Sequence, residues 1–333
     1  MALHIISIFV VVLAFIGWHA CNYWCTSQPE LSVRLEEWKQ RGKIDQLQGR
    51  SIFYVDEAGN GPHGTLICLH GFPTSSYDWI KILPDLKNEF SRIILLDFLG
   101  FGFSEKPVNH TYTIQEQSHI VESLAMKENI KSAHILAHDY GDTVALELLG
   151  RHNVDWLQFK ILSLTMLNGG IFPETHKPRL VQKLLLMPVV GYITSHLFNY
   201  PMFSFGFDEI FGVNKPTEED DKDFWALLCY NHGYKATYKV INFLPERETF
   251  RTRWVGALVN AQIKVLMIYG PADPVNPPEF VSLFKKTVPK QTIISLDTEV
   301  GHYPQWEDPA STTREFLQFI KSQKAVPSQG IKV

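Results

Sequence analysis

Short apolar runs recur along most of this chain, and helical patterns fill the gaps between them. SIFYVD (51–56) alternates, and TLICLH (65–70), RIILLD (92–97), AHILAH (133–138), KILSLTML (160–167), IKVLMIYG (263–270) and QTIISLD (291–297) follow in order. Several of these runs are apolar without alternation, as strands covered on both faces must be. Stretches 114–127 and 143–151 between them carry helical spacing. The alternation predicts a mostly parallel sheet flanked by helices. With 333 residues, the chain has room for one large domain or one domain carrying an insertion.

One interval breaks the rhythm. From residue 171 to 254 there is no buried-strand run, and the segment is rich in aromatics from Phe198 to Phe243. Helical spacing fits it better. Placed between two sheet strands, it predicts a helical cap over the carboxyl edge of the sheet, where ligands bind in open α/β folds.

The first residues differ from the rest. Residues 5–25, twenty-one in all, contain no Asp, Glu, Lys or Arg. As a helix they would reach roughly 32 Å, enough for a hydrocarbon layer of about 30 Å. No Lys or Arg precedes Arg34, and Trp18 fits badly near a cleavage site at Ala20, so a membrane anchor is preferred to a cleaved signal peptide. Arg34, Lys39, Arg41 and Lys43 follow the run, which predicts a cytosolic position for the domain after it. Residues 28–48 read as a polar amphipathic linker. The expected division is 1–26 anchor, 27–170 first part of the core, 171–254 cap and 255–325 second part of the core.

A net charge of −4 gives no support for a nucleic-acid partner. The cysteines Cys21, Cys25, Cys68 and Cys229 form neither a disulfide framework nor a zinc-ligand spacing. No metal and no cofactor are expected.

The chemistry concentrates at ILAHDYGDTV (135–144). An apolar run ends in a sharp turn and a helical pattern starts at once, the setting in which many hydrolases raise a serine nucleophile. Here Asp139 stands at the point of the turn, with Ala137 and Gly141 giving the crowded backbone room. The following helix favours its ionised form. HGFP (70–73) follows an earlier strand, where a second oxyanion donor belongs, so the N–H groups of Phe72 and Tyr140 are the expected pair. His70 reads as a structural hydrogen-bonder. YGPADP (269–274) places Asp273 after a strand end, and EVGHYPQWEDP (299–309) places His302 in the last such loop. The chain order Asp139, Asp273, His302 is nucleophile, acid, histidine.

HGFP, DFLGFGFSEKP (97–107), AHDYGD, YGPADP and GHYPQWEDP together resemble the epoxide-hydrolase and haloalkane-dehalogenase branch of the α/β-hydrolase fold, over residues 50–320. More narrowly, HGFPTSSYDW, LDFLGFGFS, HDYGD, NGGIFPETH (168–176), RWVGAL (253–258) and YGPADPVNP are similar to the mesoderm-specific transcript protein family. The resemblance implies a mostly parallel central sheet flanked by helices, with a helical cap inserted after the sixth strand and an N-terminal transmembrane helix. It also implies a place in the endoplasmic reticulum membrane and a hydrolase activity of undefined substrate. Dehalogenases of this branch hold the halide with a Trp after the nucleophile and a further donor after His-Gly; this chain has Tyr140 and Phe72 there. Epoxide hydrolases protonate the opening oxygen with cap tyrosines. Tyr238 falls where one is expected, and Tyr200 or Tyr192 would be the other.

An Asp nucleophile suits displacement at saturated carbon. Asp139 would form an alkyl ester, and His302, oriented by Asp273, would activate the water that hydrolyses it. The expected partners are a lipophilic small-molecule substrate, an epoxide foremost, and a membrane. Two other readings stay open: a non-catalytic or lipid-handling membrane protein that retains the fold, and a lipid ester hydrolase or transferase.

Overall fold

A computed structural model describes residues 12, 17 and 28–323. After α1 (Val33–Arg41) come β1 (Gly42–Leu47), β2 (Arg50–Ala58), β3 (His63–Leu69), α2 (Leu83–Glu89) and β4 (Phe90–Leu96). Then follow α3 (Ile114–Lys127), β5 (Ser132–His138), α4 (Tyr140–His152) and β6 (Lys160–Leu167). The cap carries α5 (Leu180–Leu186), α6 (Pro188–Leu197), α7 (Tyr200–Asp208), α8 (Glu218–Cys229), α9 (Thr237–Val240) and α10 (Phe243–Thr249). The chain returns through α11 (Arg251–Val259), β7 (Lys264–Tyr269), α12 (Glu279–Thr287), β8 (Thr292–Ser295), α13 (Pro304–Glu307) and α14 (Pro309–Ser322).

The eight strands form one sheet in the order β1-β2-β4-β3-β5-β6-β7-β8. β1 and β2 pair antiparallel, as do β2 and β4, and every pairing from β4 across to β8 is parallel. Successive side chains of β3 go to opposite faces. Ile67 and Leu69 join a core with α3, α4, α11 and α12, while Leu66 and Cys68 join one with α1, α2 and α14. Burial on both faces is why the central strands read as unbroken apolar runs.

Residues 28–48 are ordered structure and not a linker. α1 starts on a Ser32 cap and buries Leu35 and Trp38, and GKIDQL pairs along β2 as an edge strand. The edge position explains the weak signal, since a half-solvated edge carries polar residues. The cap follows β6. Its expected end at residue 254 falls inside α11, which packs on α4: Arg253 and Trp254 both donate to Glu147.

The expected transmembrane helix must be corrected. Among the described residues no helix is long and apolar enough to cross a membrane. The longest, α3 and α14, have 14 residues each, about 21 Å of rise against the roughly 30 Å that a span requires. Except for Val12 and Gly17, the stretch 5–25 on which that expectation rests lies outside the described residues.

Candidate active site

Asp139 occupies the turn between β5 and α4 with φ 45° and ψ −102°, a conformation a non-glycine residue adopts only when its surroundings impose it. Two glycines allow the crowding. A Cβ on Gly141 would lie 2.3 Å from the Leu69 carbonyl oxygen, and one on Gly71 would lie 2.5 Å from His138 Nδ1. Gly141 N–H donates to His70 O at 3.0 Å and Asp142 N–H to Asp139 O at 3.1 Å, closing the turn.

The Asp139 carboxylate is buried and held from two sides. Phe72 N–H donates to Oδ2 at 3.2 Å. Arg247, from α10, donates through Nη2 to Oδ1 at 3.2 Å and to the Asp139 carbonyl at 3.0 Å. Arg247 is itself fixed by Nε on Thr143 Oγ1 at 2.8 Å and by the Phe243 ring. Burial pushes the Asp139 carboxyl up, but Arg247, His302, His138 and the Phe72 N–H outweigh it and hold it at about 2. The group is ionised at any physiological pH.

The structure brings Asp273 and His302 to the same strand ends. His302 Nδ1 lies 2.8 Å from Asp273 Oδ2, and its Nε2 lies 4.0 Å from Asp139 Oδ2. Asp273 also accepts from Asn168 Nδ2 at 2.9 Å, Asn276 Nδ2 at 3.0 Å and Val275 N–H at 2.7 Å. Burial raises its carboxyl, and His302 with these donors overcomes that and keeps it below its ordinary value. For His302, burial favours the neutral ring, but Asp273 and Asp139 outweigh burial and raise it above the usual histidine value.

Of the expected oxyanion donors, Phe72 already meets the carboxylate, beside a cis Phe72–Pro73 bond. Tyr140 opens α4, so its N–H is one of the first-turn donors that lack an intrahelical acceptor; its ring is fully buried against Phe98 and Phe243. His70 accepts from Phe98 N–H at 3.1 Å and lies 2.8 Å from Gly71 O, so both ring nitrogens serve the loop.

An apolar cavity reaches this centre through Phe72 and His302. Its other walls include Val181, Leu185, Phe203, Phe207 and Thr237. Neither tyrosine expected from the cap is among the lining residues. Tyr238 is half-buried, its ring edge-on to Tyr192 at 5.7 Å. Tyr200 is bonded to Asp221, and burial with that carboxylate pushes its hydroxyl up to about 12. Among the described residues no group of three His, Cys, Asp or Glu side chains is placed to hold a metal ion.

The family model for the alpha/beta hydrolase fold matches residues 64–309. The mesoderm-specific transcript protein of Mus musculus is 46% identical over 301 residues, spanning 88% of this chain and 90% of that protein. This chain belongs to the mesoderm-specific transcript family of α/β-hydrolase-fold proteins. A putative hydrolase, LipZ, from Mycobacterium tuberculosis is 31% identical over 290 residues, 87% of this chain and 99% of that protein. Among solved structures, the haloalkane dehalogenase DbeA from Bradyrhizobium elkani shares the fold, with a TM-score of 0.72 at 21% identity over 85% of this chain and 98% of that one.

In this member of the mesoderm-specific transcript family, the sequence reading missed Arg247, Asn168, Asn276 and Glu307. Glu307 ties the histidine loop to the cap, accepting from Gly301 N–H and Gly212 N–H at 2.7 Å and from Tyr303 N–H at 2.9 Å. Arg247 in LPERET (244–249) belongs to no motif and gave no signal. Asn168, directly after β6, stood at a strand end where functional side chains collect, and that position was the available clue.

Proposed function

We propose that this hydrolase attacks an electrophilic saturated carbon of a lipophilic small molecule, an epoxide foremost, through an alkyl ester on Asp139. The observation that carries the reading is the Asp139 carboxylate itself: ionised, touched by Phe72 N–H and faced by the His302–Asp273 pair.

In the first step an Asp139 oxygen bonds to the substrate carbon. The carbon–oxygen bond of the ring breaks, its electron pair stays on the ring oxygen, and that alkoxide takes a proton from solvent water. Esterification removes the negative charge of Asp139, one of the influences that raise His302. The imidazole is therefore more fully neutral, and so able to accept a proton, when the second step needs it. Water then loses a proton to His302 Nε2 and adds to the Asp139 carboxyl carbon. The oxyanion forms on the atom the Phe72 N–H already touches. Collapse breaks the ester bond, His302 returns its proton to the departing alkoxide, the diol is released, and the Asp139 carboxyl, now carrying one oxygen from water, loses its remaining proton to solvent.

The test is incubation of His302→Gln with a long-chain lipid epoxide, followed by mass spectrometry of the peptide containing Asp139. An adduct of the substrate's mass is expected in the variant, and wild-type protein turned over once in oxygen-18 water should carry label in the Asp139 carboxylate. Label confined to product would mean direct attack by water. Absence of both adduct and turnover would refute the reading.

A further inference from the structure

We infer that the outer face of the cap, formed by α5, α6 and α7, docks on an anionic lipid bilayer surface, so that the apolar cavity opens toward the lipid.

Helix α6 is inverted. It buries Gly191, Thr194 and Ser195 and turns Val189, Tyr192, Ile193 and Leu197 outward, with Val189 at 71% exposure. Those outward positions fall at i, i+3, i+4 and i+8, one face of a helix. An ordinary surface helix shows the opposite pattern. The neighbouring helices extend the patch: Leu180 of α5 is 68% exposed and Phe205 of α7 is 78% exposed, and Met187 and Met202 lie between them in the chain. Scattered exposed apolar residues need no explanation, but a whole face of them marks an interaction surface.

The patch shares helices α5 and α7 with the cavity wall. Val181 and Leu185 of α5 and Met202, Phe203 and Gly206 of α7 line the cavity, and the exposed Leu180 and Phe205 are chain neighbours of these wall residues. A Cβ on Gly206 would meet Val181 at 3.4 Å, which shows how closely the two helices approach, and the Arg179–Glu209 ion pair bridges them.

Charge selects the partner. From Lys177 to Phe207 the sequence contains no Asp or Glu; Arg179 is paired with Glu209 and Asp208 with Lys215, which leaves Lys177 and Lys183 as the basic residues. Lys177 and Lys183 are exposed, and neither is paired with a carboxylate among the described residues. Apolar side chains rimmed by lysine fit an interface of acyl chains and anionic headgroups. A second copy of the chain fits worse: a symmetric contact would set these lysines against each other and seal the cavity mouth. The inference is independent of the nucleophile chemistry at Asp139.

Hydrogen–deuterium exchange of the full chain, with and without vesicles of phosphatidylcholine and phosphatidylserine, tests it. Peptides across residues 180–207 should exchange severalfold more slowly on the anionic vesicles, and β3 to β6 should be unchanged. The variant Val189→Asp/Phe205→Asp, altered only at exposed positions, should lose this slowing. Lys177→Glu/Lys183→Glu should lose its dependence on phosphatidylserine. Exchange across 180–207 that ignores vesicles, or slows equally in the aspartate variant, overturns the inference. So does slow exchange already present without vesicles, whether it is independent of protein concentration (a segment such as 5–25 lying on the face) or rises with it (self-association). No turnover is read, so failure here leaves the reading of Asp139 standing.

Discussion

Around Asp273, Asn168, Asn276, Val275 N–H and His302 all reach the carboxylate, and the whole cluster is buried. On the cap, α6 buries small and polar residues and turns its apolar ones outward. The difference follows from what each region must satisfy. A buried charge is tolerable only where directed partners surround it, which fixes the strand-end loops in one geometry. Apolar contacts are non-directional, so the cap can exchange one apolar neighbour for another without leaving a polar group unpaired.

That contrast can be broken at several points. Asp273→Asn should have the largest effect. With His302 misoriented or in the wrong tautomer, hydrolysis of the Asp139 ester should slow by about 10⁴-fold, as in serine triads, while ester formation is spared. Rapid-quench measurement of the two steps checks this, and a loss of less than tenfold would mean the loop alone orients the imidazole.

Arg247→Gln comes next. It leaves a buried carboxylate without its ion partner, which typically costs about 3–5 kcal/mol. In the wild type the Asp139 carboxyl is depressed to about 2. Its contribution is therefore present above the ordinary aspartate range and is lost as pH falls toward that value. Without Arg247, burial dominates and raises the carboxyl. The destabilisation should therefore be larger at pH 7 than at pH 4, where the variant can fold with Asp139 protonated. Urea unfolding at the two pH values measures it, and an equal cost at both would show that Arg247 acts by packing alone.

On the cap the effects should shrink. Tyr238→Phe should change ester formation by less than about twofold, because its ring packs on Tyr192 and does not line the cavity; a loss of about 10² or more, the usual weight of a general acid, would place its hydroxyl at the reacting oxygen. Phe205→Ala should leave the unfolding midpoint almost unmoved, within the roughly 0.5 kcal/mol usual for surface positions. A larger loss would mean that Phe205 packs against the protein itself.

The core of the fold was readable because burial on both faces wrote it as apolar runs, and the parallel pairing of β3 through β8 is what those runs predicted. β1 and α1 were not readable, since an edge strand and a short helix touching the core through Leu35 and Trp38 carry too few apolar residues. Asp139, Asp273 and His302 were singled out because each follows a strand, and the strand ends bring the three side chains together. Tyr238 and Tyr200 were named by resemblance, and nothing in the local sequence says which way a cap helix turns its side chains.

The sequence by itself determined the succession of strands from β2 to β8, the turn at Asp139, the candidate triad and the place between β6 and β7 where the helical segment is inserted, because periodicity and turn chemistry are local. Only the tertiary structure decided that Arg247 clasps Asp139 across 108 positions, that Asn168 serves Asp273 and Glu307 serves the histidine loop, and that α6 faces outward with its apolar side. Each of these depends on which surfaces meet when the cap closes over the sheet, and a pairing between distant segments leaves no periodic trace in either one.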